Sequence, residues 1–166
     1  MYQEWGFDEN PALRGPPLAE SDPYYLLPSE TVVGVASVFV KFLAHGLDMQ
    51  DDFDIVDASA QPQGKLSVAA APSDAEGNLL GEDFYIDDPG ELIEAKKPYY
   101  IKFTVKGADI KQARFANALR VRVHFGDYGS FTTDWVNNTA SPRFDHSHVL
   151  KLEPVGWGKG SHVPCW

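Results

Sequence analysis

Two runs of alternating apolar and polar residues constrain the fold of this chain more than any other feature. They cover residues 99–106 and 119–125. Because a strand turns successive side chains to opposite faces, a period of two predicts strands that are buried on one face and solvated on the other. Strands of this kind are typical of antiparallel sheets.

The segments that follow these runs predict turns and further strands. Residues 126–129, Gly-Asp-Tyr-Gly, supply a hairpin turn into a strand over residues 130–136. A polar stretch over residues 137–148, which contains Pro142, then leads into a strand at residues 149–152. We interpret this crossing segment as a passage from one sheet to the other, so the predicted fold is an all-β, antiparallel β-sandwich.

The first half of the chain predicts less regular strands. Residues 31–42 mix β-branched and small residues on both faces, and their valines favour a strand over an amphipathic helix. A short helical turn is predicted at residues 42–45. A strand at residues 53–56 and a returning strand at residues 65–71 flank a Pro- and Gly-containing turn at residues 58–64.

These patterns divide the chain into five parts. The first part is Pro-rich and aperiodic, the third is rich in acid, and the last does not continue the strand pattern. The parts are an extended Pro-rich leader (1–28), a first β segment (29–71), an acidic flexible loop (72–97), a second β segment (98–154) and an atypical tail (155–166).

Composition restricts the class of function and the compartment. The formal net charge of −10 disfavours binding to nucleic acid or to an anionic membrane, and more than half of the acidic residues lie between Asp48 and Glu94. Cys165 is the only cysteine, which excludes an intrachain disulfide and fits a reducing compartment. The first residues lack the pattern of a signal peptide, and the most apolar stretch, residues 32–47, is too short and too polar to span a bilayer. We therefore expect a cytoplasmic protein.

His146 and His148 are the best candidates for a metal site. In a strand they point to the same face and could chelate an ion together with His124 or an acid. Two solvent-facing histidines beside the crossing segment are the simpler interpretation, and we favour it. The loop over residues 107–117 offers Asp109 as its only carboxylate, too few for calcium. No metal or other cofactor is therefore predicted.

No arrangement of residues predicts catalysis. Ser147 lies between two histidines, but adjacency in sequence does not make a catalytic triad. Cys165 lies next to the chain end, where a preorganised nucleophile is not expected. The sequence contains no phosphate-binding loop, dinucleotide-binding glycine pattern or zinc-protease motif. We expect a binding module rather than an enzyme.

Two stretches together resemble the non-motor region that follows the FHA domain in kinesin-3 motors. The first combines residues 33–43, an apolar segment that begins Val-Gly-Val-Ala, with residues 53–56 and with residues 64–68, Gly-Lys-Leu-Ser-Val. The second combines the two alternating runs with the crossing segment and is similar to the first strands of the family's C2-like domain. Its Phe144-Asp145-His146 matches a Phe-Asp-His pattern of that domain.

The resemblance covers roughly residues 29–152 and implies a C2-like sandwich without catalytic activity. In that family the region belongs to the stalk and tail side of a microtubule motor, where it contributes to cargo or adaptor contacts and to autoinhibition. The resemblance thus implies protein partners, no nucleic acid, only indirect contact with membranes and a cytoskeleton-associated location. The residues that fit the family pattern, in structural roles, are Val33, Gly34, Val35, Phe39, Gly64, Leu66, Val68, Asn138, Pro142, Phe144, Asp145 and His146. A stand-alone C2-type module that binds membrane or calcium is the alternative.

The order of the strands indicates a rearranged domain. Residues 31–71 look like the end of an ordinary C2 domain and residues 99–152 like its beginning. We therefore hypothesise one circularly permuted sandwich in which residues 72–97 join the old termini. The chain carries no motor or FHA domain, and no further apolar strand follows Leu152. We expect a truncated or mis-spliced product of a motor gene, with an unpaired sheet edge beside the last strand.

Overall fold

Eight β-strands make up most of the regular structure in the computed structural model, which describes residues 25–81, 84–88, 98–125 and 129–152. They are β1 (Met49–Val56), β2 (Pro62–Ser73), β3 (Tyr99–Ile110), β4 (Ala118–Leu119), β5 (Arg122–His124), β6 (Ser130–Thr132), β7 (Val136–Asn137) and β8 (Arg143–Leu152). Two short 3₁₀ helices lie at Lys41–His45 and Ala113–Phe115. Every pair formed by these strands is antiparallel, so the predicted all-β, antiparallel class is confirmed.

Four of the strands form one sheet in the order β1-β2-β3-β8. β2 and β3 pair along nearly their whole length, from Gly64 opposite Ile110 to Ser73 opposite Tyr100. The first and second β segments of the sequence therefore contribute two strands each to a single sheet. This is the arrangement that one folding unit requires, and separate cores for the two segments are excluded.

One face of this sheet carries the core. Every second side chain of β3 from Tyr99 to Val105 is buried, which confirms the predicted alternation over residues 99–106. The neighbouring strands add buried residues on the same face: Ile55, Leu66, Val68, Ala70 and Leu150. Each fully buried Val, Leu, Ile or Phe side chain contributes roughly 1.5–3 kcal/mol, so this face is the main source of stabilisation.

A β-bulge allows β3 to continue beyond the alternating run. Val105 and Gly107 of β3 pair with consecutive residues of β2, Val68 and Ser67. Lys106, which lies between them, is therefore an extra residue. The insertion shifts the alternation by one position, so Ala108 and Ile110 pack against the core. The sequence periodicity ends at Lys106 for this reason, although the strand continues to Ile110.

Short elements cover the inner face of the sheet and complete the sandwich. β5 and β6 form a hairpin whose Phe131 packs edge-to-face on Phe103, with 6.0 Å between ring centroids. The helix at Lys41–His45 contributes Leu43, which is 1% exposed, and the segment before β3 contributes Ile86. β4 and β7 form a further two-stranded ladder. The core is therefore enclosed between one regular sheet and a layer of short pieces.

The predicted strand over residues 31–42 is wrong. Within the part of the chain that the structure describes, the segment pairs only through one bridge between Val35 and Val56. Exposed and half-buried side chains alternate over residues 35–40 as in a strand, but no ladder forms. Gly34 permits the single bridge, because a Cβ there would lie 2.6 Å from the Val56 carbonyl oxygen. The helical turn predicted at the end of this segment is confirmed.

Two other predicted strands are each split in two. Residues 119–125 contribute β4 and β5 to different ladders, and residues 130–136 do the same with β6 and β7. The interruption coincides with Thr133, whose hydroxyl accepts a hydrogen bond from the Val121 N–H at 3.0 Å. The Thr133 hydroxyl takes the place of a backbone acceptor at this point, and the two segments, which pair with each other on both sides of it, shift register by one residue. The hairpin predicted between the two runs is confirmed by the pairing of β5 with β6.

The predicted loop over residues 72–97 is more structured than its composition indicates. β2 extends to Ser73, a bridge joins Ser73 to Leu79, and Ile86 is buried in the core. Residues 82–83 and 89–97 of this loop lie outside the described residues, as do the leader before Tyr25 and the tail after Leu152.

The turns at the two ends of β2 are built around an aspartate in the same way. The Asp57 carboxylate accepts hydrogen bonds from the backbone N–H groups two and four residues later, both at 2.9 Å, and Asp74 does so at 3.0 and 2.8 Å. The Gln61 backbone is the main cause that lowers the pKa of Asp57, and the Asn78 side chain is the main cause for the pKa of Asp74. Since these bonds favour the ionised carboxylates, both turns are stabilised when the aspartates are charged.

We predict that acid destabilises the fold through these turns. The folded-state pKa of each aspartate lies below its unfolded value of about 3.9, so the contribution is complete above that pH and is lost as the pH falls through the folded-state pKa. The double variant Asp57→Asn/Asp74→Asn should therefore show a smaller decrease in unfolding free energy between about pH 5 and pH 2 in urea titrations. Asp54→Asn, at an exposed position of β1, controls for the loss of charge itself. An unchanged acid dependence in the double variant would contradict the prediction.

Tyr99 joins β3 to the helix at Lys41–His45. Its hydroxyl donates a hydrogen bond to the Leu43 carbonyl at 2.7 Å, and its ring stacks with that of Phe84 at 6.4 Å between centroids. Burial raises the pKa of Tyr99 to about 12. The hydroxyl is a second donor to this carbonyl, which also accepts the Gly46 N–H, and it joins the helix to the core strand β3.

The substitution Tyr99→Phe should lower the free energy of unfolding by about 0.5–1.5 kcal/mol, because the Leu43 carbonyl loses one of its two donors and keeps the Gly46 N–H. Tyr100→Phe, on the opposite face of β3, is the matched control and should change it by less than about 0.5 kcal/mol. Because the pKa of Tyr99 is raised above its unfolded value of about 10, its contribution is present below that pH and is lost as the pH rises through about 12. Urea denaturation at about pH 8 and pH 11 measures both effects. Equal losses for the two variants would refute the role assigned to Tyr99.

Candidate binding edge of the sheet

β8 forms one edge of the four-stranded sheet and is 10 residues long. Among the described residues it pairs with β3 alone, and residues 143–150 make no further backbone hydrogen bond to that part of the chain. An edge of this length presents a row of backbone donors and acceptors to an additional strand. We define this outer side of β8 as the candidate binding edge.

The crossing segment places β8 by hydrogen bonding to the end of β3. It leads from β7 to β8 and thus from one sheet to another, as predicted. The Ala140 carbonyl accepts a hydrogen bond from the Ile110 N–H at 2.8 Å, and the carbonyl of the buried Pro142 accepts one from the Ala108 N–H at 3.0 Å. Gly107 is required beside it, because a Cβ there would lie 2.8 Å from the Pro142 carbonyl oxygen.

Left-handed backbone conformations shape both ends of the crossing segment. Asn138 has a φ of 57° and donates its N–H to the Asn117 carbonyl at 2.8 Å, and Asp145 has a φ of 44°. Asparagine and aspartate adopt this conformation more readily than most residues. At Asp145 the strands form a bulge, because two residues of β8, Phe144 and Asp145, lie opposite one residue of β3. The resulting bulge turns His146 toward the inner face of the sheet.

His146 and His148 share this inner face, as the strand period predicts, and both contact an aromatic ring. Their rings stack on Phe131 with centroid distances of 5.7 and 4.6 Å. His146 is half-buried and His148 is exposed, so the prediction of two solvent-facing histidines is wrong for His146. Within the described ranges, no group of three or more His, Cys, Asp or Glu side chains could hold a metal ion. Phe131 is the residue that sequence reasoning missed, although it follows the predicted hairpin turn.

The two edges of the sheet carry opposite charge. β1, at the far edge, has three aspartates in 8 residues. β8 has Arg143 and Lys151 against a single acid, Asp145. In a chain with a formal net charge of −10, the β8 edge is therefore a local exception. Since unlike charges favour strand pairing, this edge matches an acidic strand better than a basic one.

A shallow polar groove of about 400 Å³ lies on the outer face of the same sheet. All four strands contribute to its lining, which consists of Gln50, Asp51, Asp52, Ser67, Lys106 and Arg143. Lys106 donates a hydrogen bond to the Gln50 side chain at 2.5 Å, and Ser67 donates one to Asp52. These two hydrogen bonds pair four of the six lining side chains, and the open polar groove differs from the apolar, concave sites that bind small molecules.

The other residues of the family pattern lie away from the binding edge. Leu66 and Val68 are core residues of β2, and Gly64 allows β2 to approach the Asp109 carbonyl of β3 closely. Val35 and Phe39, in contrast, are 62% and 73% exposed. The half-buried members of the pattern before β1 are Val33 and Gly34. The structure therefore does not bring these residues together with the crossing segment into one site.

A partly buried ion pair anchors the segment that precedes the bridge between Val35 and Val56. The Glu30 side chain is 6% exposed, pairs with Arg120 and lies 3.9 Å from the Arg122 guanidinium. The Arg120 guanidinium also lies 4.6 Å from the ring centre of Trp135, and Arg122 donates a hydrogen bond to the Tyr25 carbonyl at 2.5 Å. The alternation of residues 119–125 predicts that Arg120 and Arg122 point away from the core. It does not identify Glu30 as their partner, because that residue is far away in sequence.

A scan against models of known protein families finds no match, and a search of curated proteins finds no matching protein. No helix within the described ranges has the length and apolarity that a bilayer span needs.

The substitution Gly107→Ala should loosen the crossing segment and lower the free energy of unfolding by about 1–3 kcal/mol, because the new methyl group would contact the Pro142 carbonyl and the Arg143 side chain. Hydrogen exchange of the Ala108 and Ile110 amides should become faster. Gly81→Ala, with no atom within 4 Å of the new Cβ, is the matched control. Unchanged exchange in Gly107→Ala would show that the close approach does not hold the crossing segment.

Proposed function

We propose that this chain is a non-catalytic protein-binding module whose β8 edge accepts an extended segment of a partner as an additional strand. The observation that carries the proposal is the long edge strand, which pairs with β3 alone among the described residues. In strand addition, main-chain hydrogen bonds provide affinity and the side chains beside the edge provide specificity.

The side chains of β8 define the chemistry of that segment. Arg143 and the ring N–H groups of His146 and His148 offer donors along the strand, and Asp145 is its only acid. Directly opposed residues of unlike charge stabilise a strand pair, and like charges destabilise it. The partner segment is therefore extended and rich in aspartate or glutamate. Phe131 holds both imidazole rings from the inner face, which reduces the conformational entropy lost on binding.

We further propose that the module corresponds to the C2-like non-motor region of a kinesin-3-type protein, in circularly permuted form. The support is that both stretches of the sequence resemblance contribute strands to one sheet, the first as β1-β2 and the second as β3-β8. In this context the partner is a cargo adaptor or another region of the parent motor. Binding takes place in the cytoplasm on the cytoskeleton, and contact with membranes is indirect.

Synthetic peptides of about nine residues test the binding edge. Two probes share an alternating threonine–valine pattern, and one carries glutamate where the other carries lysine. In titrations of isotope-labelled protein, the glutamate peptide should shift the amide resonances of residues 143–152 and bind about tenfold more tightly than the lysine peptide. Arg143→Glu should remove most of this preference, whereas Lys65→Glu, exposed on the central strand β2, should not. Shifts confined to β1, or equal affinity for both peptides, would contradict the proposal.

The relation to kinesins is tested separately, through the transcript that encodes the chain. A motor domain encoded upstream in the same transcript would support the relation, and its absence from every transcript would oppose it. Calcium-dependent co-sedimentation with phosphatidylserine vesicles would instead favour a stand-alone C2-type module.

A further inference from the structure

The end of the helix at Lys41–His45 exposes apolar side chains in a fixed geometry. Gly46 has a φ of 77° and donates its N–H to the Leu43 carbonyl at 3.1 Å, while the Leu47 N–H donates to the Phe42 carbonyl at 3.2 Å. These two hydrogen bonds form a Schellman motif, which brings the residues at its ends, Phe42 and Leu47, close together. Phe42 is nevertheless 46% exposed and Leu47 is 47% exposed.

Tyr85, from a segment that is distant in sequence, adds an exposed aromatic ring beside the same helix. The Ile86 N–H donates to the His45 carbonyl at 3.0 Å, and the His45 Nδ1 lies 3.2 Å from the Ile86 carbonyl oxygen. The rings of His45 and Tyr85 stack at 6.4 Å between centroids. Tyr85 is 58% exposed although the next residue is buried. We name the surface of Phe42, Leu47 and Tyr85 the Phe42 platform.

The platform rests directly on the core. Leu43, which follows Phe42, is 1% exposed, and its carbonyl accepts the hydrogen bond from Tyr99. A Cβ at Gly46 would lie 2.9 Å from the Phe84 ring, so the helix end and the segment of Tyr85 are in direct contact. Apolar groups on such a rigid support lose little conformational freedom on binding. Exposed apolar surface of this kind is typical of interaction sites.

Carboxylates border the platform. Asp48 follows Leu47 directly, Asp87 lies two residues after Tyr85, and both are exposed. Lys41, which directly precedes Phe42, is the one lysine or arginine next to the platform residues in sequence, so the acids there outnumber the bases. An apolar surface with an acidic border favours apolar segments that also carry positive charge, and it disfavours acidic ones.

We infer that the Phe42 platform is a docking surface, distinct from the β8 edge, for an amphipathic segment of a partner protein whose apolar residues are flanked by lysine or arginine. A second copy of this chain is a poor occupant, because its own platform brings the same negative charge. The protein thus carries two surfaces with opposite preferences, an edge for acidic strands and a platform for basic amphipathic segments.

The probe is a synthetic amphipathic peptide of leucine and lysine, about 15 residues long, titrated calorimetrically into the full chain. It should bind with a Kd of roughly 10–100 µM, and a leucine–glutamate peptide with the same apolar pattern should bind at least about tenfold more weakly. Phe42→Ser and Leu47→Ser should each weaken binding about tenfold, because each removes one buried apolar side chain from the complex. Asp48→Asn should weaken binding by a smaller factor and reduce its salt dependence.

Leu79→Ser is the matched control, since it replaces a leucine that is 61% exposed outside the platform, and it should leave the Kd unchanged. Thermal melting checks that each variant folds, and Asp48→Asn tests the platform even if a serine variant does not. The response of β8 to the glutamate peptide should persist in all these variants, which separates the two surfaces. Equal binding of the two amphipathic peptides, or parental affinity in the folded serine variants, would overturn the inference. A dimer in light scattering that Phe42→Ser abolishes would also overturn it, because a second copy would then be the occupant.

Discussion

The pairing of β2 with β3 is the constraint on which the rest of the structure depends. Each of these strands is 12 residues long, and together they form the centre of the sheet. Val68 and Val105 lie opposite each other at this centre and are both 0% exposed. β1 and β8 add to the two sides of this pair. The β5–β6 hairpin and the 3₁₀ helix at Lys41–His45 pack on its inner face. Without it, the two halves of the chain would have no common core.

The bulge in β3 connects this central pair to the binding edge. It places Gly107 beside the Pro142 carbonyl, and the absence of a side chain at Gly107 lets the crossing segment lie against the strand. The crossing segment then enters β8 through a second bulge at Asp145, which turns His146 toward Phe131. The position of the candidate edge is therefore a consequence of backbone irregularities in the middle of the sheet.

Periodicity predicts correctly the elements that are buried on one face. Residues 99–106 are the clearest case, because their alternation follows directly from one core face and one solvated face. The valines of residues 31–42 predict a strand only from general preference, and a ladder also needs a partner, which Val56 supplies at one position alone among the described residues. The stacking of Phe131 on the histidines and the pairing of Glu30 with Arg120 join residues far apart in sequence. Such contacts depend on the packed fold, which local patterns do not encode.

The Asp57 turn has a consequence that concerns more than the stability of β2. The Asp57 turn joins β1 directly to β2, so a shift of β2 by one residue against β1 would break the hydrogen bonds of the Asp57 carboxylate. The same shift would turn Val68 to the solvent and Ser67 to the core. The register of the sheet is therefore fixed, and so is the position of each donor, acceptor and charge along β8. Under the proposed strand addition, the spacing of the acidic residues in the partner strand would affect binding as well as their number.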